Sequence, residues 1–209
     1  MQVSTCYEAP TPRCAPATAG ATVIATAAAR VFARDGLEGA TTRAISREAG
    51  VNEVTLFRNF GTKEHLLEAV VGSKFGRSAT SAASPAEKRD QTLAQDLGAF
   101  ALRYEALLVD NLPLIRAMVG EIHRRAVCQH EALKGIFLPM RTALVRRISQ
   151  ACKAGEIRSG LNPSVAADLF AGTIFSAVLR RASLRRVQDY SAAEYRQSCV
   201  DVFLRGVCG

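Results

Sequence analysis

The chain has 209 residues, 48% of them hydrophobic and 22% charged, with a formal net charge of +8. That length suffices for one large domain or for a small domain joined to a larger one, and no run approaches the ~20 apolar residues of a membrane span. The six cysteines, Cys6, Cys14, Cys128, Cys152, Cys199 and Cys208, are scattered, with no CxxC pair and no histidine at zinc-finger spacing, which argues against a disulfide framework and against a metal site.

Residues 1–18 lack the basic and apolar regions of a secretory signal; with Pro10, Pro12 and Pro16 among small polar residues they read as a disordered tail. A reducing cytoplasm is the expected compartment, and scattered cysteines there serve mainly as small buried hydrophobes. A first helix is expected over Thr22 to Asp35, with Ile24, Ala27, Ala28, Val31 and Phe32 on its apolar face and Gly36 as its stop. A second follows from Arg43 to Ala49, capped by Thr41 or Thr42 and closed by Gly50. Asn52 caps a third over Glu53 to Asn59, and Thr62 a fourth from Lys63 to about Phe75. Ser84-Pro85-Ala86-Glu87 has the form of a capping box and predicts a long helix running to Asp110. Helices are also expected over Leu112 to His123, Glu131 to Ala154 and Pro163 to Arg186, and a second capping box, Ser191 to Glu194, starts the last one, ending near Val207. No stretch alternates apolar and polar residues, so the fold class is all-α.

Residues 49–58, AGVNEVTLFR, end one helix and begin another within four residues. Leu56 and Phe60, four apart, share a face that Ile45, Ala49, Val51, Val31 and Phe32 can meet. Glu53, Val54, Thr55, Phe57, Arg58 and Asn59 are left facing outward. Gly50 permits the tight turn because it takes positive φ without penalty. A helix presented in this way fits the major groove of B-DNA, about 12 Å wide, which makes the unit a helix-turn-helix. Thr42, the free N–H groups of the second helix and Lys63 at the start of the fourth are suited to phosphates, and Arg43 to a guanine edge or a phosphate. Bulk charge adds little: positions 20–75 hold seven basic and six acidic residues, a net of +1.

The segment ATTRAISREAGVNEVTLFRNFGTKEHLLEAV, Ala40 to Val70, closely resembles the DNA-binding domain of the TetR family of bacterial regulators. The resemblance implies an N-terminal domain of three or four helices over residues 19–75, and a helical effector-binding and dimerisation domain over residues 76–209. It also implies a homodimer on a palindromic double-stranded operator. By position, Thr42 and Lys63 would contact phosphates, and Arg43, Asn52, Glu53, Val54 and Thr55 bases or adjacent backbone. Phe57 stands where the family usually has Tyr, so the phosphate bond of that hydroxyl is missing; Arg58 is placed to compensate.

Downstream, Leu97, Phe100, Tyr104, Leu108, Leu114, Ile115, Met118, Ile122, Phe137, Met140 and Leu144 supply the apolar interior a bundle needs. The family resemblance places a ligand pocket among these helices. Phe100, Tyr104, Leu108, Met118, Ile122, Phe137, Met140 and Leu144 are the candidates, and flexible methionines beside an amphipathic tyrosine suit an apolar or aromatic effector. Leu169, Gly172, Thr173, Ser176 and Ala177 combine small and apolar residues on one helix, which with Val200, Phe203 and Leu204 would form a dimer surface. Arg180, Arg181, Arg185 and Arg186 follow near the end of that helix and read as solvated charge.

Other functional classes have less to support them. His65, His123 and His130 form no constellation with acids or cysteines, so no catalytic residue and no cofactor is expected. Oxidation of Cys128 or Cys152 could control the same DNA-binding unit, or the protein could be an architectural DNA-binding protein with no effector.

Overall fold

The computed structural model describes residues 19–83, 91–121, 138–183 and 189–207, and every regular element among them is a helix. In chain order these are α1 (Ala19–Gly39), α2 (Thr42–Ala49), α3 (Glu53–Phe60), α4 (Lys63–Ala83), α5 (Leu93–Asp110), α6 (Leu112–Glu121), α7 (Leu138–Ala154), α8 (Pro163–Ser183) and α9 (Ala192–Val207). No helix among the described residues is long and apolar enough to cross a membrane.

Helix α1 is buried on more than one side, at Ile24, Ala25, Ala27, Ala28, Ala29, Val31 and Phe32. Its alanines let neighbours approach closely, and α2, α3, α4 and α6 all pack on it. Gly36 breaks the helical path with φ 75°, ψ 171°, and one further turn follows to Gly39. Thr41 caps α2, its Oγ1 accepting from the Ala44 N–H at 3.1 Å, and Gly50 closes it in the left-handed region at φ 67°, ψ 28°. Asn52 caps α3, its Oδ1 accepting from the Val54 N–H at 3.0 Å, and Thr62 caps α4 through the His65 N–H at 3.2 Å.

Beyond that module α4 continues unbroken past Phe75 and packs on α5 and α7, so it belongs to both ends of the molecule. Helix α5 begins later than expected. Residues 91–92 are not helical, and a capping box of Thr92 and Gln95 starts it at Leu93. A continuous helix from Ser84 to Asp110 is therefore corrected; the Ser84 to Glu87 box lies outside the described residues. Asn162 caps α8 and the Ser191–Glu194 box caps α9, as their sequences predict. The buried residues form one contiguous cluster from Ile24 on α1 to Val207 on α9.

Charged pairs join the helices of the larger part. Arg147 on α7 donates to Asp96 on α5 at 2.5 Å and to Glu156 at 3.2 Å, and Arg141 on α7 donates to Asp168 on α8 at 2.6 Å. Glu105 on α5 is buried and accepts from both Arg181 on α8 and Arg196 on α9. Arg181 is thus not the solvated charge its sequence context suggested, because a carboxylate 76 positions upstream folds against it. Arg180 is exposed, its Nη2 donating to the Tyr195 hydroxyl at 3.2 Å. Arg185 and Arg186 lie outside the described residues.

Candidate nucleic-acid interface

The turn around Gly50 sets α3 at the surface with its back to the protein. Leu56 is completely buried, Phe60 is half-buried against the same core, and Ile45 of α2 and Val31 and Phe32 of α1 close the space behind them. Two backbone bonds hold the turn: the N–H of Gly50 donates to the Arg47 carbonyl at 3.2 Å and that of Val51 to the Ser46 carbonyl at 3.0 Å. On the outward side Val54 is 71% exposed and Phe57 48% exposed, and Asn52, Arg58 and Asn59 are also exposed. Two large apolar side chains left in water on an eight-residue helix cost apolar burial, which a groove lined with thymine methyls and sugars would return.

Several of the expected contact residues already have work within the chain. Glu53 and Thr55 are half-buried, and Glu53 Oε2 accepts from the Thr42 hydroxyl at 2.9 Å, clasping the first turn of α2 to the first turn of α3. With its hydroxyl hydrogen so committed, Thr42 offers a phosphate chiefly its backbone N–H, one of the unpaired donors of a helix's first turn. Asn52 uses its amide oxygen as the α3 cap. Asn59 Nδ2 donates to the Thr55 carbonyl at 2.7 Å, which leaves its oxygen free for another donor. Lys63 stands half-buried in the first turn of α4. His65 is exposed, its ring Nδ1 lying 3.2 Å from the Phe60 carbonyl, so it ties α4 to the end of α3.

The distribution of charge is sharper than the net of +1 suggests. Arg30 and Arg34 on α1 are spent on acids: Arg30 Nε donates to Glu48 at 2.9 Å, and Arg34 Nε to Asp35 at 2.8 Å. The guanidinium of Arg34 holds the Asp35 carboxyl below its ordinary range, chiefly through that hydrogen bond. Arg43, Arg47 and Arg58 are exposed, and none enters a salt bridge among the described residues. Arg43 and Arg47 of α2 and Arg58 of α3 are thus among the described cations left without an acidic partner. Arg47 was missed in the sequence; its spacing of four from Arg43 on one helix was the available signal.

Of the expected pocket residues, Phe100, Tyr104, Leu108, Met118, Met140 and Leu144 are all buried in the common core, whereas Ile122 and Phe137 lie outside the described residues. Phe100 anchors a run of rings, 5.6 Å from Tyr104 and 6.1 Å from Phe170, which is 5.0 Å from Phe203. Burial pushes the Tyr104 phenol far above its ordinary range. Cys152 and Cys199 are half-buried against the core, and the remaining four cysteines lie outside the described residues.

The residues expected at a dimer surface divide. Leu169, Gly172, Thr173 and Ser176 are exposed along α8, together with Val165. Val200 instead faces the chain's own core, and Phe203 and Leu204 pack partly against it; the exposed apolar residue on this part of α9 is Val202. Two positions along a helix reverse the side on which a residue stands, and the core takes Val200.

Comparison with known proteins agrees with this architecture at both ends. Residues 24–70 match the N-terminal domain of bacterial regulatory proteins of the tetR family, and residues 95–206, over half of the chain, match the C-terminal domain of AefR-like transcriptional repressors. The chain is 24% identical over 185 residues to YvkB of Bacillus subtilis, an uncharacterised HTH-type transcriptional regulator, covering 87% of this chain and 93% of YvkB. A TetR-family regulator of Mesorhizobium loti shares the fold with a TM-score of 0.75 at 21% identity, over 93% of this chain and all of that one. FadR of Bacillus subtilis, solved in complex with stearoyl-CoA, does so with a TM-score of 0.74 at 21% identity, over 88% of this chain and 98% of FadR. The matched domains and the exposed second helix of the helix-turn-helix lead to one conclusion: this chain belongs to the TetR family of DNA-binding transcriptional regulators.

Proposed function

We propose that the protein is a repressor that binds a palindromic operator as a homodimer and releases it when a small apolar or aromatic effector enters the helical domain. The observation that carries the DNA half is the division of α3: Leu56 fully buried behind it, Val54, Phe57 and Arg58 exposed in front. The unpaired Arg43, Arg47 and Arg58 supply the phosphate grip, and the affinity falls with salt as counterions are released.

For the effector half, α4 is the element that counts. It starts with Lys63 beside the DNA-reading unit and packs on α1 and α3 at one end and on α5 and α7 further along. A compound that separates α5 from α7 would tilt α4 and change the spacing of two reading helices in a dimer. The apolar cluster of Phe100, Tyr104, Leu108, Met118, Met140 and Leu144 favours an effector with an apolar portion to bury, and FadR, which shares the fold, was solved with stearoyl-CoA, whose acyl chain is such a portion. Pairing through α8 and α9 is supported by Leu169, 64% exposed, and Val202, 71% exposed, among small residues.

Selecting bound sequences from a pool of random duplexes tests the reading directly. The expected product is a palindrome whose half-sites lie about one helical turn or a multiple of it apart. Equal binding to all sequences would instead identify an architectural DNA-binding protein.

A further inference from the structure

We infer that Glu53 is a specificity-determining residue that selects cytosine at one position of each operator half-site, with Thr42 as the residue that orients it. The inference rests on the DNA-binding reading above and adds which base the start of α3 takes.

Glu53 is the first residue of α3, and the residues that open the second helix of a helix-turn-helix are those that reach base edges. Its neighbour Asn52 has given its side-chain oxygen to the cap. The Glu53 carboxylate makes no salt bridge with any described residue, and one of its oxygens accepts from Thr42 Oγ1 at 2.9 Å. A glutamate serving only the helix dipole needs no such tether, because a charge near the N-terminus acts wherever its flexible side chain points. Here the side chain is held across the turn by the preceding helix, as a group is held when its direction matters.

A carboxylate is an acceptor only, with lone pairs left after one hydrogen bond. Brought to duplex DNA it meets negative phosphates, and in the major groove it meets further acceptors on guanine, N7 and O6, and on thymine, O4. It is tolerated where a base offers a donor. Adenine offers its N6 amino group but sets the N7 acceptor beside it, whereas cytosine offers N4 with only a C–H neighbour. Cytosine is therefore the base that a tethered carboxylate accepts, and an incorrect base should cost about 10-fold to 100-fold in affinity.

The test compares sequences selected from random duplexes by the full-length wild type, Glu53→Gln, Thr42→Ser and Thr42→Val, with fixed-sequence titrations on the recovered sites. The wild type should enrich cytosine at one position per half-site. Glu53→Gln, isosteric and free of charge, should move that position towards adenine, whose N6 and N7 match an amide, and should lose about 10-fold affinity for the cytosine site. Thr42→Ser should keep the wild-type preference, and Thr42→Val should broaden it at that one position. A residue that merely holds phosphate would lower affinity for every sequence alike, so a uniform loss with Thr42→Val overturns the orienting role. If wild type and Glu53→Gln recover the same palindrome with the same base at every position, the cytosine assignment is wrong while the operator reading stands. If neither recovers a palindrome, both fall.

Discussion

The carboxylate of Glu105, on α5, is buried against the guanidinium of Arg181, on α8, and Arg196 of α9 closes on its other oxygen. One buried acid thus pins the helix that carries Phe100 and Tyr104 to the two helices that carry the exposed Leu169 and Val202. Tyr104 and Glu105 are adjacent in the chain, so a rotation of α5 that moves one also moves the other. Glu105→Ala should destabilise the protein by roughly 3 kcal/mol, the low end for a broken buried pair, because both guanidiniums retain about a fifth of their surface in water. Urea unfolding of the variant measures it, and a change under 1 kcal/mol would show the cluster to be surface-like.

Leu56 and Val54 are two positions apart on α3 and have opposite tasks. Leu56→Ala should cost about 2–5 kcal/mol by leaving a cavity in a fully packed site. Val54→Ser should leave the melting temperature within a degree or two, since the side chain is already in water, and should still weaken operator binding. Thermal melts beside binding titrations separate the two, and equal effects on both properties would contradict the division.

Arg43→Ala and Lys63→Ala should both weaken operator binding without unfolding the protein. Lys63→Ala should lower affinity for all sequences and reduce the slope of log affinity against log salt by about one unit. Titration at several salt concentrations reads this; an unchanged slope removes Lys63 from the phosphate contacts.

A charge placed at Leu169 should break the pairing of two chains. Leu169→Glu puts a charge on the exposed apolar side of α8, where a dimer through that helix would have to bury it, while leaving the isolated chain almost undisturbed, because the leucine is exposed in it. Sedimentation equilibrium at micromolar concentration should find a dimer for the wild type and a monomer for the variant. A variant that still dimerises moves the interface elsewhere.

Alkaline pH should unfold the protein rather than titrate Tyr104 in place. Burial raises its folded-state pKa, so the neutral phenol's contribution is fully present below the free-tyrosine value of 10.0 and is lost as pH rises above it. Tyrosine absorbance and far-ultraviolet dichroism followed together above pH 10 should change in step for one of the chain's four tyrosines. Complete titration of all four with helicity intact would contradict the buried placement.

Local chemistry determined a large part of this protein. Thr41, Asn52, Thr62, Asn162 and Ser191 cap helices where their sequences place them, and Gly50 turns the chain because a positive φ is needed there, all within a few residues of the bond concerned. Spacing of four put Leu56 behind α3 and left Val54, Phe57 and Arg58 in front. Tertiary structure decided what depends on distant partners. Glu105 lies 76 positions from Arg181 and 91 from Arg196, and no local pattern could show that these charges would be buried together. Thr42 and Glu53, eleven apart, meet only because the turn folds α2 back on α3, and Val200 faces inward because the core already formed by α5 and α8 takes that side of α9. Caps and periodicity act over one or two turns of helix, while the choice between solvent and interior for a given face is made by whatever the rest of the chain brings against it.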